Sequence, residues 1–180
     1  MYDIPREFLL IKKKYWILVI VCAVVLFLDQ WTKAAILEKL PLHQRIAVIP
    51  GFFDLTHVRN TGGAFGIFGG EKSGLGGFLF LAVSIVAIGI LLVLFIRSKE
   101  NEKTLGFAYS LILSGALGNL LDRLRLGEVV DFLEFYVSSF RWPAFNIADS
   151  AICVGIGLMA LELILKEEKR SAKPKSLKPK

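Results

Sequence analysis

Apolar and polar positions alternate in long blocks rather than at the two- or 3.6-residue periods of a water-soluble domain. Four apolar runs stand out, at about Trp16–Ile36, Gly74–Ile96, Thr104–Leu121 and Ala148–Leu165. Each approaches the roughly 20 residues that a helix needs to cross a bilayer. Between them lie a long linker (37–73), a short charged one (97–103) and a second long one (122–147). In the first long linker, "RIAVI" and "FFDLTHV" flank Pro50-Gly51, a turn dipeptide between alternating segments, which predicts a β-hairpin. "EVVDFLEFYV" in the second long linker offers one more strand. The expected fold is an all-α membrane protein: four transmembrane helices with a small extracytoplasmic β-sheet and loop over the outer end of the bundle.

Composition supports this reading. The chain of 180 residues is 54% hydrophobic, too apolar for a soluble domain of its length, and residues 1–165 form one expected domain. Its net charge of +6 is unevenly placed. Segments 1–15, 97–103 and 166–180 hold 14 of the 22 Lys and Arg, whereas the two long linkers hold 7. The positive-inside rule then puts both termini in the cytoplasm and the long linkers outside. The basic tail 166–180 is expected to be disordered beside anionic lipid, and no nucleic-acid partner is expected. Cys22 and Cys153 both lie in apolar runs and read as small core residues, not a disulfide framework. The N-terminal run lacks a small-x-small cleavage site and is expected to remain as the first span. Val21 is too bulky for Cys22 to be a lipid-acceptor cysteine.

Span three carries Gly106, Ser110, Ser114 and Gly118 at four-residue spacing, a small-residue stripe suited to close helix packing. The ionisable residues are harder to place. Asp29 and Lys33 lie one turn apart inside the first span, where they can pair with each other or serve a site. Asn119, Asp122 and Arg123 share a face at the end of span three, as an ordinary charged helix end or as part of a site. Asp131 sits between apolar neighbours in "GEVVDF". In "FNIADS", Asn146 and Asp149 have the spacing of a capping box, and Asp149 also suits the positive end of a helix dipole. By topology these residues all fall at one membrane boundary, which favours a single polar site over several accidents. Two carboxylates at the rim of a low-dielectric bundle cannot easily both ionise, so one keeps a proton and the other acts as base. That is the chemistry of an aspartic peptidase.

Other catalytic patterns are missing from the sequence. There is no H-E-x-x-H motif, no G-x-S-x-G elbow around Ser150 and no P-loop, and the two histidines, His43 and His57, share one linker. A proton-coupled transporter would place acidic groups near mid-membrane on repeated helices. A non-catalytic scaffold would leave the aspartates as caps.

Five blocks, "DQWTK" (29–33), "RNTGGAFGIF" (59–68), "GALGNLLDR" (115–123), "GEVVDF" (127–132) and "PAFNIADS" (143–150), together resemble lipoprotein signal peptidase, the bacterial signal peptidase II family. The likeness runs from Trp16 to Leu165. Gly63 and Gly66 depart from it, standing where the family commonly has Ala and Ser. The resemblance implies that Asp131 and Asp149 form a catalytic dyad. It implies that Asp29, Lys33, Asn60, Asn119, Asp122, Arg123 and Asn146 support the site or touch substrate. It further implies a diacylglyceryl-prolipoprotein substrate cut just before the lipidated cysteine, no metal or organic cofactor, a monomer in the inner membrane with its site at the outer face, and inhibition by globomycin.

Overall fold

The computed structural model describes residues 12–62 and 74–171. Four long helices and one small sheet follow in the order α1 (Lys13–Lys39), β1 (Arg45–Ile49), β2 (Phe53–Asn60), α2 (Gly74–Arg97), α3 (Lys103–Leu126), β3 (Val129–Val137), β4 (Phe140–Arg141) and α4 (Ile147–Ser171). All four helices are long and apolar enough to span a membrane. The expected hairpin forms around Pro50-Gly51, with Gly51 at a φ of 83°, where a side chain would be strained. β3 pairs antiparallel with β2, giving the order β1-β2-β3-β4. The two-residue β4 was not foreseen.

Helix ends run past the expected spans because polar residues also fit a helix once it leaves the apolar layer. α4 continues to Ser171, so Lys166–Ser171, expected to be disordered, are helical. Residues 172–180, Gly63 and Gly66 lie outside the described residues. At the other end of the bundle, Lys14 is buried rather than solvated. Its ammonium donates to the carbonyls of Phe95 (3.1 Å), Ile96 (2.8 Å) and Ser98 (2.7 Å). It thereby satisfies the orphan acceptors at the C-terminus of α2 and meets the negative end of that helix dipole.

α3 is the central helix and packs on the other three. The expected small-residue stripe is buried, and Ser110 and Ser114 return their hydroxyls to the carbonyls of Gly106 and Ser110. The close approach, however, uses Gly115 and Gly118 rather than Gly106, around which a Cβ would meet nothing within 4 Å. A Cβ at Gly115 would collide with the Ala148 carbonyl oxygen and lie 2.7 Å from Ile152 Cγ1 of α4. Gly115→Ala should therefore lower the thermal unfolding midpoint in detergent, with a loss of about 1–3 kcal/mol. Gly157→Ala, with open space around it, should leave the midpoint near that of the native chain. Cys22 is half-buried, with its sulfur near the Ser114 hydroxyl (3.2 Å), but Cys153 is exposed on α4 and not a core residue.

The sheet root sits on the end of α1. Val130 and Phe132 form a buried cluster with Ile36 and Leu40, with Leu55, Leu133 and Ile147 packed around it. This contact fixes β3, and with it Asp131, relative to the helices.

Candidate active site

The polar residues inside the bundle meet at one place. Lys33, 2% exposed, lies 2.8 Å from Asp29 and 2.8 Å from Asp122, and donates to Asn119 Oδ1 at 3.1 Å. The expected one-to-one pairing of Asp29 with Lys33 is thus one half of a three-membered buried network joining α1 to α3. Its members do further work. Asp29 Oδ1 accepts the backbone N–H of Ala148 (2.9 Å), one of the unsatisfied donors at the start of α4. Asp122 Oδ2 accepts the backbone N–H of Val130 (3.2 Å), tying α3 to β3. A Cβ at Gly118 would stand 2.7 Å from Asp29 Oδ2, so only glycine admits that carboxylate.

Above this network lie two carboxylates from different elements. Asp131 projects from β3 and is buried; Asp149 stands in the first turn of α4 and is half-buried. Asn146 holds both. Its Nδ2 donates to Asp131 Oδ1 (2.8 Å) and, more weakly, to Asn119 Oδ1 (3.2 Å). Its Oδ1 accepts the backbone N–H of Asp149 (2.9 Å), and its own N–H donates to Asp149 Oδ2 (3.3 Å). The capping box read from the sequence is therefore present, with its carboxylate also engaged elsewhere: Asn119 Nδ2 donates to Asp149 Oδ1 at 2.7 Å. Asn60 Nδ2 reaches Asp131 Oδ2 from β2 at 3.0 Å. Arg123 donates to the carbonyl of Gly62 (3.0 Å), securing the chain just beyond β2.

The surroundings hold Asp131 far from an ordinary carboxyl. Burial first and the charge of Asp149 second push it up to about 7, against the amide donors of Asn60 and Asn146 and the charge of Lys33. Near neutrality Asp131 is then close to half protonated. A carboxyl poised to give or take a proton, with a second carboxyl held beside it, is the equipment for general acid–base work on a bound water.

All nine residues singled out in the sequence converge here: Asp29, Lys33, Asn60, Asn119, Asp122, Arg123, Asp131, Asn146 and Asp149. Gln30 was missed. Its Nε2 donates to Asp122 Oδ1 (2.9 Å) and Asp29 Oδ2 (3.1 Å), closing the network below the carboxylates. An amide beside Asp29 in an otherwise apolar run was the available clue. Among the described residues no group of three or more His, Cys, Asp and Glu is arranged to hold a metal ion.

The comparisons with known proteins meet this geometry. The family model for signal peptidase (SPase) II matches residues 21–165, which include every helix-borne residue of the site. The chain belongs to the signal peptidase II family. Curated relatives named lipoprotein signal peptidase include that of Geobacter sulfurreducens, 48% identical over 82% of this chain and 90% of the relative. That of Geobacter metallireducens is 45% identical over 89% and 98%, and that of Syntrophus aciditrophicus 39% identical over 89% and 99%. A solved structure described as a bacterial membrane enzyme, obtained by the in meso method, has a TM-score of 0.76 at 32% identity, covering 89% of this chain and 94% of that one. This signal peptidase II family member is a multi-pass membrane peptidase, as the four spans and the sheet had led one to expect.

Proposed function

We propose that the chain is an aspartic endopeptidase that removes signal peptides from diacylglyceryl-modified prolipoproteins, cutting just before the lipid-bearing cysteine. The observation that carries this reading is the hold of Asn146 on two carboxylates from separate elements, through its side-chain amide on Asp131 and its backbone N–H on Asp149. Asp149 takes a proton from a water held between the acids. Protonated Asp131 donates to the scissile carbonyl as the water oxygen adds to its carbon. The tetrahedral carbon then expels the cysteine amine, which receives the proton from Asp149, while one hydroxyl of the tetrahedral carbon returns its proton to Asp131; the new carboxyl group leaves with the signal peptide and both acids regain their starting states. Asn60, Asn119 and Asn146 hold the acids in register. Asp29, Gln30, Lys33 and Asp122 hold the helix and strand from which the acids project.

A signal peptide is an apolar helix, and the lipid on its cysteine stays in the bilayer. The cut must then fall where the membrane ends. The site lies at the sheet-bearing end of the bundle, and the excess of Lys and Arg lies at the other. The proposed placement is a bacterial inner membrane, with both termini cytoplasmic and the monomer's site at the outer face. Purified protein in lipid–detergent micelles should cut a diacylglyceryl-cysteine prolipoprotein peptide immediately before that cysteine, as read by product mass, and should leave the unlipidated peptide whole. Equal cleavage of both peptides, or of neither, would count against the assignment. For topology, a reporter fused after Lys180 should read cytoplasmic and one inserted at Ser73 should read external. The reverse pattern would place the carboxylates on the wrong side for an exported substrate.

A further inference from the structure

The outer sheet has two unlike faces. Cross-strand partners share a face, and the register assigns each residue. Arg45 opposes Thr56, Asp54 opposes Glu134, and Tyr136 opposes Arg141. These form a charged face. Arg45 Nε donates to Glu134 (2.8 Å), Arg141 donates to Asp54 (3.0 Å) and to Glu134, and the Arg141 guanidinium lies 4.2 Å over the Tyr136 ring.

The other face is apolar over the half of the sheet farthest from Asn60. Ile46 opposes Leu55, Ile49 opposes Phe53, Phe53 opposes Phe135, and Val137 opposes Phe140. The Phe135 ring gathers Phe53 (4.9 Å), Phe52 (5.2 Å) and Phe145 (5.9 Å) around it, beside an open cavity of about 290 Å³. Among the described residues nothing covers this surface at its tip: Val137 is 65% exposed and Phe140 66%. An apolar patch of this kind, with the charges of Arg45, Asp54, Glu134 and Arg141 turned to the opposite face, marks an interaction surface.

Continuity identifies the partner. Leu55 and Leu133 lie on the same apolar face and pack against the cluster around Ile36 and Leu40, at the end of the membrane-spanning α1. Beyond that contact the sheet runs on with little packing against any described helix, toward whatever surrounds α1. Around a membrane span that is lipid. We infer that the apolar tip of the sheet, centred on Phe135, Val137 and Phe140, docks on the bilayer surface as an aromatic anchor, with the Arg45–Glu134–Arg141 face turned to water. Aromatic side chains suit this boundary, where a ring meets the acyl layer and the headgroups together. Because β3 carries Asp131 near its start and Val137 at its end, the anchor sets the tilt of the strand that bears the acid.

The test uses the full chain in nanodiscs holding one copy each, without substrate. Trp16, Trp31 and Trp142 are replaced by Phe, and a single indole is introduced by Phe140→Trp. A parallel protein carries Ala47→Trp, on the charged face. The Phe140→Trp indole should sit about 5–10 Å below the headgroup surface, the depth of interfacial elements. It should lose most of its emission to phospholipids brominated high on the acyl chain and little to aqueous iodide, whereas the Ala47→Trp indole should show the reverse. Iodide quenching of both indoles alike would overturn the inference. So would bromine quenching that arises only when lipidated substrate is added, which would make the substrate's own acyl chains the occupant. Shielding that arises only with two copies per disc would overturn it in favour of a dimer contact. None of these outcomes depends on whether Asp131 and Asp149 are catalytic.

Discussion

Asp131→Asn and Asp149→Asn should each lower the cleavage rate by about a thousandfold or more, with the protein still folded and inserted. Each substitution keeps the size of the side chain and removes its acid–base function. Asparagine at 149 still caps a helix, so a purely structural role there predicts near-native turnover. On the proposed mechanism the two acids act as one unit, and the double variant should be scarcely slower than either single one. Single-turnover cleavage of a lipidated peptide, measured in membranes free of related peptidases, decides between these outcomes. The pH profile should be bell-shaped, with apparent values belonging to the pair. Its alkaline limb should fall near the value of about 7 to which burial raises Asp131, because the donor proton is lost there. Stability moves with it. Asp131 binds its proton more tightly in the folded chain than at its ordinary 3.8, so the folded state holds the extra proton between these values and stability falls as pH rises. From pH 5 to pH 8 the native chain should lose roughly 2–3 kcal/mol relative to Asp131→Asn, which has no such group to ionise. A difference that stays flat over this window would mean that Asp131 titrates as an ordinary surface carboxyl.

The second large effect belongs to Lys33. Lys33→Met keeps the length of the side chain but leaves Asp29 and Asp122 buried together without their shared cation. Breaking a buried ion pair from one side costs about 3–5 kcal/mol, and here two carboxylates are stranded. The unfolding midpoint should drop sharply, and cleavage should fail with it, since Asp29 and Asp122 hold Ala148 and Val130. Asp29→Ala should be milder in its electrostatics, because Lys33 keeps Asp122 and Asn119. A Lys33→Met protein that melts like the native chain but turns over no substrate would instead make the ammonium a substrate contact.

Much of this arrangement is legible in the sequence because lipid makes polar residues conspicuous. An Asp and a Lys one turn apart in an apolar run, or an Asn-x-x-Asp opening a span, stand against a silent background. The spans and the Pro50-Gly51 hairpin were legible for the same reason: long apolar runs and a turn dipeptide are local signals. What escaped depends on partners far along the chain. Lys14 reads as a solvated flank, and only the C-terminus of α2, some 80 residues on, draws it inward. Gly115 is indistinguishable from its neighbours until α4 lies against it. The second carboxylate on Lys33 and the part played by Gln30 arise where α1 crosses α3, and no periodicity within either helix records that crossing. The two faces of the sheet follow from a register that the strands fix only on pairing.

The bond from Ala148 to Asp29 bears on biogenesis. The carboxylate belongs to the first helix made and the N–H to the last, 119 residues later. Until α4 arrives, Asp29 Oδ1 lacks the N–H that it accepts in the finished bundle. On the proposed mechanism, a nascent chain that has inserted three helices holds one half of the acid pair and cannot cut. Competence then waits for α4, which brings both the missing acid and the contact that locks it in place.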